Sequence, residues 1–349
     1  MTYPRIFFFG DLTETDFGVE ELLGHAEKCK RLEDYFNDAL AVTQKTLNSI
    51  NLKGHDLSSR DSLIQLAVQA QQDDSSSVVL RAWAICFAQI GHLIAHLEKS
   101  PALLNLWIKQ RVIIVASCAG QIAGSLAATA RSMDDLVKVG PEILAVMIRA
   151  AFDADRKTDA VMDDRSKSWA HAVFEIPVSQ AVDATDQFNK EKNVQQNKKL
   201  YVGGASAWAT TVIGPPSLLE EFFTTNPFPG KRVLALPIRT LFHAEHLEKP
   251  DLSEIVGDAP SLETLRLEDT SFISSSSGLL FESLNLRDLV GEAVLNVNAK
   301  ITDNRKVFAN LKEIIRNEHA IVTPFSAKKG VLRLCKALGE ESASVETTE

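Results

Sequence analysis

Cysteine is scarce in this chain, and basic residues are outnumbered by acidic ones. The 349 residues include only four cysteines, Cys29, Cys86, Cys118 and Cys335, set far apart with no CxxC pair. Such spacing argues against a disulfide framework or a zinc site and for a reduced, cytoplasmic compartment. The formal charge is −9 at pH 7, which argues against nonspecific nucleic-acid binding. No apolar stretch is read as long enough to span a bilayer, so no membrane partner is expected. The N-terminus runs from Met1-Thr2-Tyr3-Pro4-Arg5 straight into the strand-like Ile6-Phe7-Phe8-Phe9, without the apolar region and cleavage site of a signal peptide. Residues 339–349 carry Glu340, Glu341, Glu346 and Glu349 and no basic residue. They read as a disordered acidic linker.

What is present is an α/β pattern large enough for more than one subdomain. After the first strand, helical periodicity dominates to about Ser100. Leu80, Trp83, Phe87, Ile90, Ile94 and Leu97 alternate in steps of three and four, which predicts one apolar helix face. The apolar run Arg111-Val112-Ile113-Ile114-Val115 then breaks into Ala116-Ser117-Cys118-Ala119-Gly120, and a small-residue helix follows through Ala130. A buried strand, a tight small-residue turn and a helix together resemble a nucleophile elbow, with Cys118 exposed at a sheet's C-terminal edge. Another helix runs through Leu144, Val146, Met147 and Ile148.

Beyond Asp155 the pattern changes. Trp169–Ile176 reads as a strand and Val178–Lys190 as a helix. Leu200–Val202 and Trp208–Ile213 read as strands closed by Gly214-Pro215-Pro216, Ser217 as the cap of a short helix, and Arg232–Ile238 as a last strand. The order β-α-β-β-α-β is that of a ferredoxin-like subdomain, 166–239, inserted into a larger α/β subdomain made of 1–165 and 240–338. His243 follows the insert directly, 125 residues beyond Cys118. A cysteine nucleophile needs such a base, because the thiolate is the reactive species. Most cysteines after a buried strand are inert core thiols, so spacing alone does not assign the pair. His246 is a competing base that reads more simply as a surface or supporting group. His92 and His96 have the i,i+4 spacing of a metal pair, but lie off the apolar stripe and read as a solvated helix face. Ser125 and Gly203-Gly204 read as turn and packing residues. The pairs Lys198-Lys199, Lys231-Arg232 and Lys328-Lys329 read as solvated surface, with carrier docking as the competing reading.

Five segments taken in order carry a resemblance: Phe9-Gly10-Asp11, Ser117-Cys118-Ala119-Gly120, Ser168-Trp169-Ala170, Thr210–Pro216 and Phe242-His243-Ala244. From about Ile6 to Leu338 the chain resembles the starter-unit acyltransferase domain of fungal non-reducing polyketide synthases, a relative of malonyl transacylases. The resemblance implies an α/β-hydrolase-like large subdomain with a parallel sheet. It implies Cys118 as nucleophile, His243 as base, and the backbone N–H groups of Ala119 and Leu12 as an oxyanion hole. It also implies transfer of a starter acyl group from acyl-CoA or acyl-phosphopantetheine to an acyl carrier protein, beside a ketosynthase domain, with no bound cofactor or metal. Two residues depart from the pattern. Ala116 replaces the first glycine of Gly-x-Cys-x-Gly, and Leu12 replaces a glutamine. Two other readings stay open: a hydrolase using the same cysteine, which releases acyl groups to water in an editing role, and a catalytically silent docking domain, to which the Ala116 and Leu12 departures point. Arg149 only loosely matches the carboxylate-binding arginine of malonyl transacylases and is assigned no role.

Overall fold

The computed structural model describes residues 3–52, 57–72, 77–316, 318–339 and 342–346. Ten strands are described, in chain order: β1 (Arg5–Phe9), β2 (Val112–Ala116), β3 (Ala170–Phe174), β4 (Tyr201–Ala205), β5 (Ala209–Ile213), β6 (Val233–Ala235), β7 (Ser271–Ile273), β8 (Thr302–Asp303), β9 (Ala320–Phe325) and β10 (Ala343–Val345). They form two sheets. The first has the order β10-β9-β1-β2-β7, and its strands are all parallel. Parallel strands are covered on both faces, and so read as continuous apolar runs. Along β1, Phe7 and Phe9 enter the main core while Ile6 and Phe8 enter a smaller core, under the helices Asn304–Ile314 and Lys328–Leu338. The rings of Phe7 and Phe9 meet Phe325 of β9 across the sheet.

The second sheet has the order β6-β3-β5-β4-β8. Its pairs are antiparallel except β4 with β8. Helices Val178–Glu191 and Pro216–Thr224 cover one face through Val173, Val202, Val212, Phe188, Leu219 and Phe222. The fifth strand, β8, comes from outside the expected insert 166–239, so that boundary does not enclose the sheet. The helix expected to be capped by Ser217 starts two residues earlier, at Pro216, with Pro215 at the cap. Proline at a first helical position has no N–H to satisfy, and the Ser217 hydroxyl instead bonds the Asp163 carboxylate at 2.5 Å.

Three further expectations are corrected. The acidic segment contributes an edge strand: β10 pairs with β9 and buries Ala343. Glu346 forms an ion pair with Arg5. Composition hides this because the partner cation sits at the other end of the chain. Glu340, Glu341, Glu349, Met1 and Thr2 lie outside the described residues. Second, the helix Val78–Lys99 is long and apolar enough by length and composition to cross a membrane, yet 94% of its most apolar window is buried inside the protein. It is a core helix, enclosed by β9 and by the helices Lys30–Ser49, Arg60–Gln72 and Met133–Asp159. Third, that enclosure leaves no solvated face, so His92 and His96 are buried. His92 Nε2–H donates to the Phe17 carbonyl at 3.0 Å, and the His96 ring meets the edge of Phe325. Burial lowers the pKa of both imidazoles.

Candidate active site

The parallel sheet ends at the site. β2 runs out at Ala116, and the Ser117 N–H donates to the Phe9 carbonyl at 3.0 Å. Cys118 then takes φ +45°, a left-handed conformation uncommon outside glycine and costly unless its surroundings enforce it. The helix Gly120–Thr129 begins at once. This turn works because its neighbours have no side chains in the way. A Cβ on Gly120 would lie 2.4 Å from the Gly10 carbonyl oxygen, and one on Gly10 would lie 2.2 Å from that of Ser326. Ala116 does not disturb the packing. It has no positive φ, and its methyl sits against Gly124.

The loop after β1 is tied to the elbow. Ser117 Oγ donates to Asp11 Oδ2 at 2.8 Å, and Asp11 Oδ1 accepts the Thr13 N–H at 2.8 Å. Leu12 between them is buried against the cavity wall. Among the described residues, neither the Leu12 N–H nor the Ala119 N–H donates to a backbone carbonyl, and the Ala119 N–H faces the Cys118 sulfur.

His243 arrives from the chain that leaves the second sheet, also in a left-handed conformation, φ +57°. Its backbone N–H donates to the Val297 carbonyl at 2.8 Å, which ties it to the end of the helix Leu286–Asn298. Its Nδ1 lies 2.9 Å from the carbonyls of both Asn296 and Lys300. Carbonyls only accept, so Nδ1 carries the proton and Nε2 presents its lone pair. That lone pair faces Cys118 Sγ at 3.1 Å.

The pair is held neutral. Burial pushes the Cys118 thiol up, the Asp11 charge adds to this, and the Ala119 N–H opposes it. Burial lowers the His243 pKa, while the Lys300 and Asn296 carbonyls oppose the fall. Both effects favour a thiol donating to a neutral imidazole over a preformed ion pair.

Sequence reasoning missed the network behind this histidine. The Asn296 amide donates to Gln121 Oε1 at 2.9 Å and to Ser274 Oγ at 3.1 Å. Ser275 Oγ donates to the same Gln121 oxygen at 3.0 Å. The residue that supplies a carbonyl to His243 is thereby joined to the helix that follows Cys118. No local spacing signals a bond between positions 121 and 296.

Cys118 and His243 open into a cavity of about 270 Å³ between the two sheets. Alternate residues of the second sheet line it: Ala172 and Phe174, Ala209, Thr211 and Ile213, and Leu234 with Leu236. Gly203 and Gly204 line it from within β4, so they are strand residues and not a turn. A Cβ on Gly203 would meet Ile213 Cδ1 at 2.3 Å. Ser125 is also no turn residue; it lies inside its helix and donates to the Gln121 carbonyl.

The other singled-out residues lie away from the Cys118–His243 contact. The His246 ring packs on Tyr201, whose hydroxyl donates to the Phe242 carbonyl at 2.7 Å, and burial with the nearby Lys199 charge lowers the His246 pKa to about 4. Arg149 donates to the Ile255 and Val256 carbonyls and fastens the helix Leu252–Val256. Among the described residues, no group of three His, Cys, Asp or Glu side chains could hold a metal ion.

Comparison with known proteins concerns the family and the fold. The family described as starter unit:ACP transacylase in aflatoxin biosynthesis matches residues 7–243. The non-reducing polyketide synthase men2 of Menisporopsis theobromae is 27% identical over 98% of this chain, but only 16% of its own length is matched. This chain thus spans about a sixth of that synthase. The ascochitine biosynthesis cluster protein 8 of Didymella fabae is 28% identical over 86% of this chain and 79% of its own. Among solved structures, the MCAT of Mycobacterium tuberculosis superposes with a TM-score of 0.64 at 15% identity, covering 98% of this chain and 96% of that one. A malonyl-transacylase solved with its type II PKS acyl-carrier protein superposes equally well, at 0.64 and 10% identity, covering 99% and 96%. At such identities the structures report the fold, an α/β acyltransferase architecture with a parallel sheet. With more than half of its length matched by the family, the chain belongs to the starter unit:ACP transacylases.

Proposed function

We propose that this domain moves a starter acyl group from a thioester donor, acyl-CoA or an acyl carrier, onto the phosphopantetheine thiol of a carrier protein through an acyl-Cys118 intermediate. The observation that carries the reading is the 3.1 Å approach of Cys118 Sγ to His243 Nε2 at the wall of a largely apolar cavity. The Cys118–His243 dyad needs no metal or redox cofactor for this chemistry. The second sheet serves as a ferredoxin-like insert, centred on 166–239, that shapes the acyl site against an α/β-hydrolase-like large subdomain made of 1–165 and 240–338.

The chemistry follows from the neutral pair. His243 Nε2 takes the thiol proton as Sγ attacks the donor carbonyl. The tetrahedral oxyanion forms beside the N–H groups of Ala119 and Leu12, neither engaged by a backbone carbonyl, and the start of the helix Gly120–Thr129. Collapse breaks the donor C–S bond, and the imidazolium returns its proton to the leaving thiolate. Acyl-Cys118 is itself a thioester. The carrier thiol therefore attacks by the same route in reverse, with Nε2 again accepting the proton, and ping-pong kinetics follow. Leu12 in place of glutamine leaves this intact, since the hole uses its backbone N–H.

Incubation with a chain-length series of acyl-CoAs and a holo carrier domain tests the reading. Transfer of acyl mass to the carrier is expected, with little loss to water when the carrier is omitted. Rapid turnover to free acid without carrier would replace transfer by hydrolysis, and no turnover of any donor would favour a silent domain.

A further inference from the structure

The helix Lys328–Leu338 splits its residues cleanly between two faces. Val331, Leu334 and Leu338 are buried beneath β9 and β10. Lys329, Leu332, Arg333 and Lys336, at i, i+3, i+4 and i+7, make one outward stripe. Leu332 is 67% exposed at its centre. The helix carries four cations and no acid. Lys328 pairs with Asp16, and in the neighbouring Asn304–Ile314 both Arg305 and Lys306 turn to the Asp303 carboxylate, so the outward charge rests on the stripe itself. This is a concentrated positive field on a chain of net charge −9.

The stripe adjoins the site. Gly330 and Arg333 line the same cavity as Cys118 and His243, and Lys336 Nζ lies over the ring of Trp208, another lining residue, at 5.7 Å. The helix is also fixed to the catalytic loop. The buried Glu14 carboxylate accepts the N–H groups of Lys329 and Gly330 at 2.9 and 2.7 Å, two residues beyond Leu12. Lys329, Arg333 and Lys336 form no ion pair among the described residues. The other basic pairs differ. Lys231 pairs with Glu175 and Arg232 stacks on Phe174, while Lys199 sits beside His246, outside the cavity lining.

We propose that the stripe Lys329-Leu332-Arg333-Lys336 is the docking face for the acyl carrier protein. An acidic carrier helix would lie on the cations, with an apolar side chain against Leu332. The arm's phosphodiester, attached at the carrier surface, then falls beside Arg333 at the cavity mouth, and its thiol runs inward to Cys118. The inference rests on the transfer reading above. It specifies where the acceptor lands.

Binding can be read apart from catalysis by titrating a fluorescently labelled apo carrier domain from a fungal non-reducing polyketide synthase into the whole chain at low salt. Reversal of Lys329, Arg333 and Lys336 together to glutamate should raise Kd about tenfold or more and flatten its salt dependence. Leu332→Ala, which leaves charge alone, should weaken binding about threefold or more. Reversal of Lys198 with Lys199, or of Lys231 with Arg232, changes net charge elsewhere and should leave Kd within about twofold. Thermal melting checks that each variant is folded. A Kd that moves equally for every reversal, or for none, overturns the docking face. A carrier that binds through this face but receives no acyl group overturns the transfer reading and leaves the face standing.

Discussion

The parallel sheet brings loops to the cavity, whereas the second sheet brings one of its faces. From the first come the Gly10–Thr13 loop and the Ser117-Cys118 turn, each at the C-terminal end of a strand. Their geometry is over-determined by close backbone approaches, a left-handed cysteine and the Asp11–Ser117 hydrogen bond. From the second come alternate side chains, Ala172, Thr211 and Ile213 among them, whose opposite face is anchored by Val173 and Val212. One region fixes the position of Cys118, and the other fixes the shape of the cavity. Substitutions in the first should therefore change rates for every donor, and those in the second should change which donor is preferred.

The largest expected effect is His243→Ala, which should slow acylation of Cys118 about a hundredfold or more for all acyl lengths. Stopped-flow release of CoA measures it; a near-normal rate would move the base elsewhere. Asn296→Leu removes the amide that joins the His243-bonded segment to Gln121. We expect about a tenfold fall in kcat with KM little changed, together with a displaced acid limb of the pH–rate profile. A purely structural role would leave that limb in place. Ala172→Leu fills the cavity from the second sheet and should shift the preference between longer and acetyl donors about fivefold toward acetyl. Competition between two acyl-CoAs reads this ratio directly, and an equal loss for both would erase the proposed division of labour. The smallest effect is one of shape. Burial lowers the His243 pKa, so the imidazole stays neutral and competent into acid. The acid limb should fall below the ordinary histidine value of about 6.5, and His246 should contribute nothing near neutrality.

The elbow was legible because its signal is local: an apolar run, then residues small enough for strand, turn and helix to touch. The β-α-β-β-α-β order was legible for the same reason, through period-two strands and proline punctuation. What stayed hidden depends on distant partners. The bond from Gln121 to Asn296, the pairing of Arg5 with Glu346 and the strand β8 all join positions far apart in sequence. His92 and His96 misled for another reason. A stripe of six apolar positions implies an opposite wet face, yet Val78–Lys99 is enclosed by other helices and β9, so His92 and the Gln89 amide N–H find acceptors inside the protein.

The account centres on Cys118 as the covalent station. Intact-mass analysis after brief exposure to an acyl-CoA, followed by peptide mapping, tests this most directly. The prediction is one acyl adduct on the Cys118 peptide that a holo carrier discharges and that Cys118→Ala abolishes. An adduct on Cys29 or Cys335 instead, or undiminished acyl transfer by the folded Cys118→Ala variant, would contradict it.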